Sequence, residues 1–275
     1  VGPFPSDIFR APFPSPRDGI TVEDAITGLK NLFLTDAQPE RVAAIIIEPV
    51  LGEGGYTPVP FEMMHQLRDI CDQHGIMLIA DEVQAGFGRT GTMWAFEHYG
   101  VTPDLICIGK GVTSSLPLSG VIGKTDIMDA YPPGSMTSTH TGNPLSCRAA
   151  WGSIRSLSDD DLIGNAARLE SVVLKAIEEI KAKHPSIVGH VTARAWWVVC
   201  KSSSPTQKNP SHDIAFDIIL RAFHKGLLMF APVGAWGQTV KLAPPLCISR
   251  EALEEGLEVL TGCVDEVVEA LPDAS

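Results

Sequence analysis

Short apolar segments that alternate with an amphipathic segment constrain the fold of this 275-residue chain more than any other feature. Apolar segments of this length, without polar alternation, are typical of strands buried on both faces. Their alternation with a helix indicates βαβ units, so we predict an α/β fold with a mainly parallel sheet covered by helices. The segments, in chain order, are AAIIIEPV (43–50), FEMMHQLRDICDQHG (61–75), IMLIADEV (76–83) and DLICIGKG (104–111).

The segment at 61–75 has the pattern of an amphipathic helix. It follows a proline and ends at Gly75, which favours a helix start and a helix end at these points. Apolar residues recur on one face and predict the side that packs on the sheet. That face consists of Phe61, Met64, Leu67 and Cys71.

The pattern changes after Pro144, and this change suggests two domains. We predict a large α/β domain over residues 1–157 and a smaller C-terminal α+β domain over 158–275. The first also holds a helix near 22–34 and a fourth strand in LSGVIGK (118–124). The elements predicted after Pro144 are helices to about 156 and over 160–183, 214–224 and 250–271, and strands WWVVC (196–200), LLMFAPV (227–233) and TVKLAPPL (239–246).

Charge and composition exclude several classes of partner. The net charge of -12 argues against nucleic acid or an anionic membrane as partner. No apolar run approaches the roughly 20 residues that a membrane helix needs. The six cysteines form no C-x-x-C pair, so we expect reduced thiols and a cytoplasmic location. No His-x-x-x-His pair is present, and we expect no metal site.

Ionisable residues end three of the predicted strands. Glu48 follows the first strand, Asp81 ends the second and Lys110 follows the third. Because ligands of open parallel sheets bind at the carboxyl ends of the strands, we expect these groups to share a crevice. A charged residue can also simply mark the end of a strand, but three together favour a functional site.

Lys110 is the most informative of these residues. It lies between Gly109 and Gly111, which allow a ligand to approach the backbone closely. A glycine follows it where a Walker A loop has Ser or Thr, so the segment is no P-loop. A lysine that forms a Schiff base and an aspartate that pairs with a pyridinium nitrogen are the protein groups of pyridoxal phosphate chemistry. Lys110 and Asp81 therefore predict that cofactor.

A dinucleotide site is the competing interpretation, because Gly86, Gly88 and Gly91 spell G-x-G-x-x-G. In a dinucleotide fold these glycines follow the strand directly and open a helix. Here DEVQA separates them from the apolar run, and no acidic strand end follows about 20 residues later. We interpret the glycines as a tight loop beside the cleft.

The motifs resemble those of the class III aminotransferases, which are fold type I enzymes that use pyridoxal phosphate. The resemblance is dense between Ile45 and Cys147 and weaker beyond. The segments that carry it are IIIEPVLGEGG, LIADEVQAGFGRTGTMWAFEHYGVTPDLICIGKG, LPLSGVIG and STHTGNPLSC.

This resemblance implies a role for each matching residue. Lys110 would be the Schiff-base lysine, and Asp81 would pair with the pyridine nitrogen. Val83 would pack on the ring face and Gln84 would reach the phenolic oxygen. The remaining matches are Thr139, which would bind the cofactor phosphate from the partner subunit, Glu48, a cleft residue near the ring, and Glu53, which in some members gates a substrate-binding arginine.

The sequence departs from the family pattern in three places. It starts at Val1, where family members have a long preceding segment with a phosphate-binding loop and an aromatic residue that stacks on the ring. Lys241 stands where many relatives have an arginine for the substrate carboxylate, and lysine offers a point charge instead of a bidentate fork. Ala193 and Ala195 stand where relatives usually have glycines. We interpret the following residues, Trp196 and Trp197, as core strand residues.

The sequence thus predicts a pyridoxal-phosphate-dependent transaminase with a Schiff base at Lys110. The resemblance implies a homodimer with its active site at the interface, and an amine or amino acid and a keto acid or aldehyde as substrates. A different reaction with the same cofactor stays open, namely racemase, aminomutase or decarboxylase. A non-catalytic relic that serves as a dimer partner is the third alternative.

Overall fold

The computed structural model describes residues 5–15, 19–189, 193–194, 197–201 and 211–271, and for 193–194 and 197–201 it describes the backbone only. The helices are α1 (Val22–Thr35), α2 (Phe61–His74), α3 (Thr125–Met128), α4 (Pro144–Asp159), α5 (Leu162–Lys183), α6 (His212–His224) and α7 (Arg250–Ala270). The strands are β1 (Ala44–Ile47), β2 (Val50–Leu51), β3 (Thr57–Pro58), β4 (Met77–Asp81), β5 (Leu105–Ile108), β6 (Gly120–Gly123), β7 (Ala193–Arg194), β8 (Trp197–Lys201) and β9 (Thr239–Leu242).

The first part of the chain is built on a four-stranded sheet in the order β1-β4-β5-β6. β1, β4 and β5 run parallel, with Ile47 opposite Ala80 and Asp81 opposite Cys107. β6 joins the edge in the antiparallel direction. The mainly parallel sheet and its fourth strand, predicted from the apolar segments, are confirmed.

α2 packs on this sheet through the predicted face, with one correction. Met64, Leu67 and Cys71 are buried, but Phe61 is 48% exposed. Phe61 lies in the first turn, at the end of the helix, and its ring contacts that of Tyr99 at a centroid distance of 5.0 Å. The helix ends at Gly75, which has the left-handed φ of 68° that a glycine adopts without a steric penalty.

Asp104 ties the sheet to its covering helix. Its Oδ2 accepts hydrogen bonds from Leu78 N at 2.8 Å and from Arg68 Nη1 at 2.9 Å, and its Oδ1 accepts one from Lys124 Nζ at 2.5 Å. Burial alone would raise the pKa of Asp104, but these hydrogen bonds and the positive charge of Arg68 lower it to about 2. Asp104 therefore fixes β4, α2 and the end of β6 relative to one another.

The C-terminal part packs α5, α6 and α7 beside the antiparallel sheet β7-β8-β9. Its core also contains Val50, Tyr56 and Ala85 from the first part of the chain. Packing is thus continuous across residue 157, and the predicted domain boundary there stays a prediction.

One predicted strand of this part is wrong. LLMFAPV (227–233) forms no strand with any described residue, and its one bridge within that part of the chain is an isolated one between Val233 and Thr239. Pro232 cannot donate a backbone hydrogen bond, and Gly234 turns the chain with a φ of 92°. The predicted strands at β8 and β9 are confirmed as backbone, whereas Ala195, Trp196 and the side chain of Trp197 lie outside the described residues. Across the described part of the chain, every helix is too short or too polar to cross a membrane.

Candidate active site

Neighbouring parallel strands bring three ionisable side chains to one edge of the sheet. β4 lies between β1 and β5 and pairs with both. Glu48 follows the last residue of β1, Asp81 is the last residue of β4, and Lys110 follows β5 after Gly109. The structure thus brings the three strand ends together at the edge where open α/β sheets bind ligands, and their role as site residues stays a prediction.

The backbone at Lys110 is strained and is held in place by a neighbouring helix. Its φ of 41° is in the left-handed region, which costs a non-glycine residue about 1–3 kcal/mol and is found mostly at functional sites. Ser153 of α4 donates its Oγ to the carbonyl oxygen of Gly111 at 3.1 Å. This bond supports the turn that presents Lys110 to the crevice.

Gln84 is the direct partner of Lys110. Lys110 Nζ donates to Gln84 Oε1 at 2.7 Å. The amide nitrogen of Gln84 donates to Tyr56 OH at 3.3 Å and to Glu53 Oε1 at 3.4 Å. An ammonium group only donates and a carboxylate only accepts, so Lys110 and Glu53 together fix which end of the amide faces Lys110. The structure thus brings Glu53, Gln84 and Lys110 into one network.

Asp81 and Val83 lie at the end of β4, beside the strand that leads to Lys110. Asp81 Oδ1 accepts a hydrogen bond from Val83 N at 3.1 Å, which holds the carboxylate at the end of β4. A Cβ atom at Gly109 would lie 3.3 Å from Val83 Cγ1, tighter than most contacts of this kind. The absence of a side chain at Gly109 therefore lets β5 approach Val83 closely.

Glu48 is a half-buried carboxylate on which the charges of Asp81, Lys110 and Glu53 act. Its Oε2 accepts a hydrogen bond from Gly52 N at 2.8 Å. Burial raises the pKa of Glu48, while the hydrogen bond from Gly52 and the nearby charge of Lys110 act in the opposite direction. A side chain at Gly52 would collide with the amide of Gln84, so a glycine at this position keeps the network around Lys110 intact.

Lys241 enters the same cleft from β9. Its Nζ lies 4.3 Å from the ring centroid of Phe230 and 5.2 Å from that of Tyr56, within the range of cation–π attraction. Burial lowers the pKa of Lys241, the charge of Glu53 opposes this shift, and Lys110 adds to it. A partly desolvated ammonium group of this kind attracts an anionic ligand strongly.

Glu82 is a buried acid that the sequence analysis missed. It is fully buried, and its carboxylate accepts hydrogen bonds from Ala95 N at 3.0 Å and Phe96 N at 2.8 Å. Burial raises the pKa of Glu82 to about 7, against the effect of these two bonds. Successive side chains of an extended segment point to opposite faces. Because Asp81 points outward, the sequence could have indicated that Glu82, the next residue, points inward.

Thr139 is not brought to this cluster. It lies in an exposed turn in which Ser138 is hydrogen-bonded to Thr141. Within the described residues, no hydrogen bond joins Thr139 to Lys110 or Gln84. Its predicted role from a partner subunit therefore stays a prediction.

The glycine-rich segment after β4 is a loop and opens no helix, as residues 83–90 form successive turns. Gly88 and Gly91 have left-handed φ values of 85° and 82°. Arg89 Nη1 donates to the carbonyl oxygen of Pro244 at 2.8 Å, beyond β9. The dinucleotide interpretation is thus rejected, and the loop connects the sheet edge to the C-terminal part.

Comparison with known proteins identifies the family. The profile of the family Aminotransferase class-III matches residues 1–264. The chain belongs to the class III aminotransferases. The resemblance found in the sequence motifs is therefore confirmed.

Curated relatives from this family cover nearly all of the chain. It is 39% identical over 267 residues to the 5-aminovalerate aminotransferase DavT of Pseudomonas putida, a match that covers 97% of the chain and 62% of DavT. It is 38% identical over 267 residues to the 4-aminobutyrate aminotransferase GabT of Escherichia coli, with the same coverage. The chain thus spans about three-fifths of the length of these relatives.

Solved structures of transaminases share the fold. A transaminase from the marine bacterium Virgibacillus superposes with a TM-score of 0.84 at 28% identity, over 92% of this chain and 59% of that one. The taurine:2-oxoglutarate aminotransferase of Bifidobacterium kashiwanohense, in complex with PLP and glutamate, gives 0.83 at 27% identity, over 94% and 59%. These matches confirm the predicted fold type I architecture.

Membership of the class III aminotransferases implies pyridoxal phosphate as the cofactor, as predicted. The described residues fit this group. Lys110 supplies an exposed amine, Asp81 a carboxylate and Gln84 an amide at one sheet edge. The glycines at 52 and 109 keep space beside Gln84 and Val83.

Proposed function

We propose that the chain forms the catalytic part of a transaminase that moves an amino group from an amine or amino acid donor to a keto acid or aldehyde acceptor. The observation that carries this proposal is the position of Lys110. Its amine is hydrogen-bonded to Gln84 at 2.7 Å. Lys110 follows the strand that pairs with the one ending at Asp81, at the carboxyl edge of a parallel sheet, in a chain of the class III family.

When bound, pyridoxal phosphate supplies a carbonyl carbon for covalent attachment and a ring that accepts electrons from the substrate. In this proposal Lys110 Nζ would hold the cofactor and, once released, would move a proton from the donor carbon to the cofactor carbon that had carried the carbonyl. The carboxylate of Asp81 would keep the pyridine nitrogen protonated. Val83 would pack on the ring face, Gln84 would face its phenolic oxygen and Glu48 would lie near the ring.

The far end of the cleft supports recognition of a carboxylate. The ammonium group of Lys241 is half-buried, and Glu53 is the acidic residue whose charge acts on it. We infer that Lys241 binds the carboxylate of the acceptor and that Glu53 balances its charge when no carboxylate is bound. An amine donor without a carboxylate makes no use of this contact.

A homodimer completes the proposal. Thr139 would reach the cofactor phosphate of the partner subunit, which agrees with its exposed position and its separation from the Lys110 network. Exposed apolar side chains on α4, namely Leu145, Trp151 and Ile154, provide surface for such an association. A cytoplasmic location, expected from the cysteine pattern, belongs to the same proposal.

The test is covalent trapping of the cofactor. Pyridoxal phosphate and borohydride should fix one adduct on the wild-type chain, and peptide mass spectrometry should locate it at Lys110. Lys110→Ala should lose this adduct and all transamination without a change in melting temperature. Lys175→Ala, which alters an exposed lysine on α5, is the matched control and should behave as wild type. A main adduct on another lysine would refute the assignment.

A second candidate reaction has one specific observation in its favour. The chain is 34% identical over 268 residues to a leucine/methionine racemase of Thermococcus litoralis, over 97% of this chain and 59% of the racemase. Product analysis separates the two reactions. A transaminase consumes a keto acid and yields a new amino acid, whereas a racemase inverts a single amino acid without an acceptor. A non-catalytic relic would show neither product and no adduct at Lys110.

A further inference from the structure

Tyr56 occupies a constrained position between the two ends of the cleft. Its side chain is 2% exposed, and its φ of 55° is in the left-handed region, which is rare for an aromatic residue. The turn is closed by hydrogen bonds from Gly55 N and Tyr56 N to the carbonyl oxygen of Gly52, at 3.1 and 3.2 Å. Such a conformation persists only where the surrounding structure enforces it.

The two ends of this side chain contact different parts of the site. The hydroxyl oxygen accepts a hydrogen bond from Gln84 Nε2 at 3.3 Å, and Gln84 in turn accepts from Lys110 at 2.7 Å. The ring centroid lies 5.2 Å from Lys241 Nζ. Tyr56 therefore lies directly between the residue that contacts Lys110 and the second ammonium group of the cleft.

The hydroxyl contributes to the orientation of the Gln84 amide. The amide nitrogen has two acceptors, Tyr56 OH and Glu53 Oε1, and the Glu53 contact of 3.4 Å is the longer one. With both in place, the amide oxygen faces Lys110. Burial raises the pKa of Tyr56, so the hydroxyl stays neutral and its interaction with Gln84 is constant across the working pH range.

The ring acts on Lys241 in a different way. A cation over an aromatic face is attracted by the ring quadrupole, and the attraction grows when water is excluded. Phe230 is 58% exposed, whereas Tyr56 is buried. Tyr56 is thus the more buried of the two rings that Lys241 contacts, although the Phe230 ring is the nearer one.

We propose that Tyr56 is a positioning residue that orients Gln84 toward Lys110 through its hydroxyl and holds Lys241 through its ring face. This inference rests on the proposed function, in which Lys110 carries the cofactor and Lys241 receives the substrate carboxylate. Tyr56 then links the reacting end of the cleft to its recognition end.

Two substitutions separate these effects. Tyr56→Phe removes the hydroxyl and keeps the ring, whereas Tyr56→Leu removes both. Tyr99→Phe is the matched control, because Tyr99 is also buried and its hydroxyl donates to Pro49 O at 2.8 Å. If Tyr56→Leu does not fold, Tyr56→Met fills a similar volume without an aromatic face and replaces it in the test.

Two site-specific readouts are measured on each variant of the 275-residue chain. The first is the fraction of Lys110 fixed by borohydride at a limiting concentration of pyridoxal phosphate. The second is the protection of Lys241 from acetylation by added glutarate, a dicarboxylate probe, in the absence of cofactor. Both are quantified by peptide mass spectrometry, with the melting temperature as a measure of folding.

Tyr56→Phe should reduce fixation at Lys110 about two- to tenfold, as expected for one lost hydrogen bond, and leave glutarate protection of Lys241 unchanged. Tyr56→Leu should reduce fixation and also weaken protection about two- to tenfold. Tyr99→Phe should alter neither readout. Wild-type fixation in Tyr56→Phe, or full protection in Tyr56→Leu, would overturn the inference. A wild-type chain that is not fixed at Lys110 would instead contradict the proposed function, while the glutarate measurement would still test the Tyr56–Lys241 contact.

Discussion

Replacement of Glu82 by glutamine should change how the stability of the protein depends on pH. Glu82 is fully buried and has a pKa of about 7, raised by burial from 4.5. Because the folded pKa is the higher one, the protonated acid favours the folded state, and ionisation above the folded pKa opposes it. The shift corresponds to about 3 kcal/mol, which is lost as the pH rises from about 4.5 to 7.

Glu82→Gln removes this titration. At pH 5 Glu82 is protonated, because its pKa is about 7, and a protonated acid, like an amide, offers one carbonyl oxygen to the backbone N–H groups of Ala95 and Phe96. We therefore expect the variant and wild type to have similar stability at pH 5. By pH 8 the variant should be the more stable of the two, since only wild type loses stability over this interval.

Denaturant unfolding of both proteins at several values between pH 5 and 8 gives the difference in free energy directly. Glu97→Gln is the matched control. Glu97 lies next to Ala95 and Phe96, the partners of Glu82, and its carboxylate accepts a hydrogen bond from Trp94 N at an exposed position. A difference between wild type and Glu82→Gln that stays constant with pH would refute the reasoning. If Glu82→Gln and Glu97→Gln showed the same dependence of unfolding free energy on pH, the pH effect could not be assigned to the burial of Glu82.

Three further substitutions test the site and the frame that supports it. Asp81→Asn should retain the cofactor but slow proton abstraction by orders of magnitude, since asparagine does not stabilise a pyridinium charge. Single-turnover kinetics measure this rate. Turnover near that of wild type would show that Asp81 does not pair with the ring nitrogen. Lys241→Ala should raise KM for a keto acid and leave that for an amine without a carboxylate unchanged, while equal losses would indicate a structural role. Asp104→Asn should destabilise the fold by about 2 kcal/mol at pH 7, because the pKa of the carboxyl is lowered to about 2. That contribution is present above pH 4 and is lost as the pH falls toward 2. Asp104→Asn and wild type should therefore approach equal stability in acid denaturation. A difference in unfolding free energy that stays constant with pH would argue against the ion-pair network.

The sequence predicted the sheet and its charged edge because both depend on local patterns. An apolar run indicates a buried strand, and the residue that ends it, Glu48, Asp81 or Lys110, indicates which group lies at the edge of the sheet. Tyr56 and Glu82 were missed because their importance depends on which way one side chain points after a turn or a strand end. The strand predicted at 227–233 was wrong because apolar composition does not reveal whether a neighbouring strand is present to pair with it.

Two hydrogen bonds hold the loops at the sheet edge at a fixed distance from the segments around β9. They join Arg89 to Pro244 O, and Gly234 N to Glu53 O at 3.0 Å. Each bond joins a segment at the sheet edge to a segment beside β9. If Lys110 holds the cofactor and Lys241 the substrate carboxylate, as proposed above, these bonds contribute to the spacing between the two amines. Under that proposal, substrates would be selected by the number of carbon atoms between amino group and carboxylate, and insertions or deletions around residues 230–246 would change that preference.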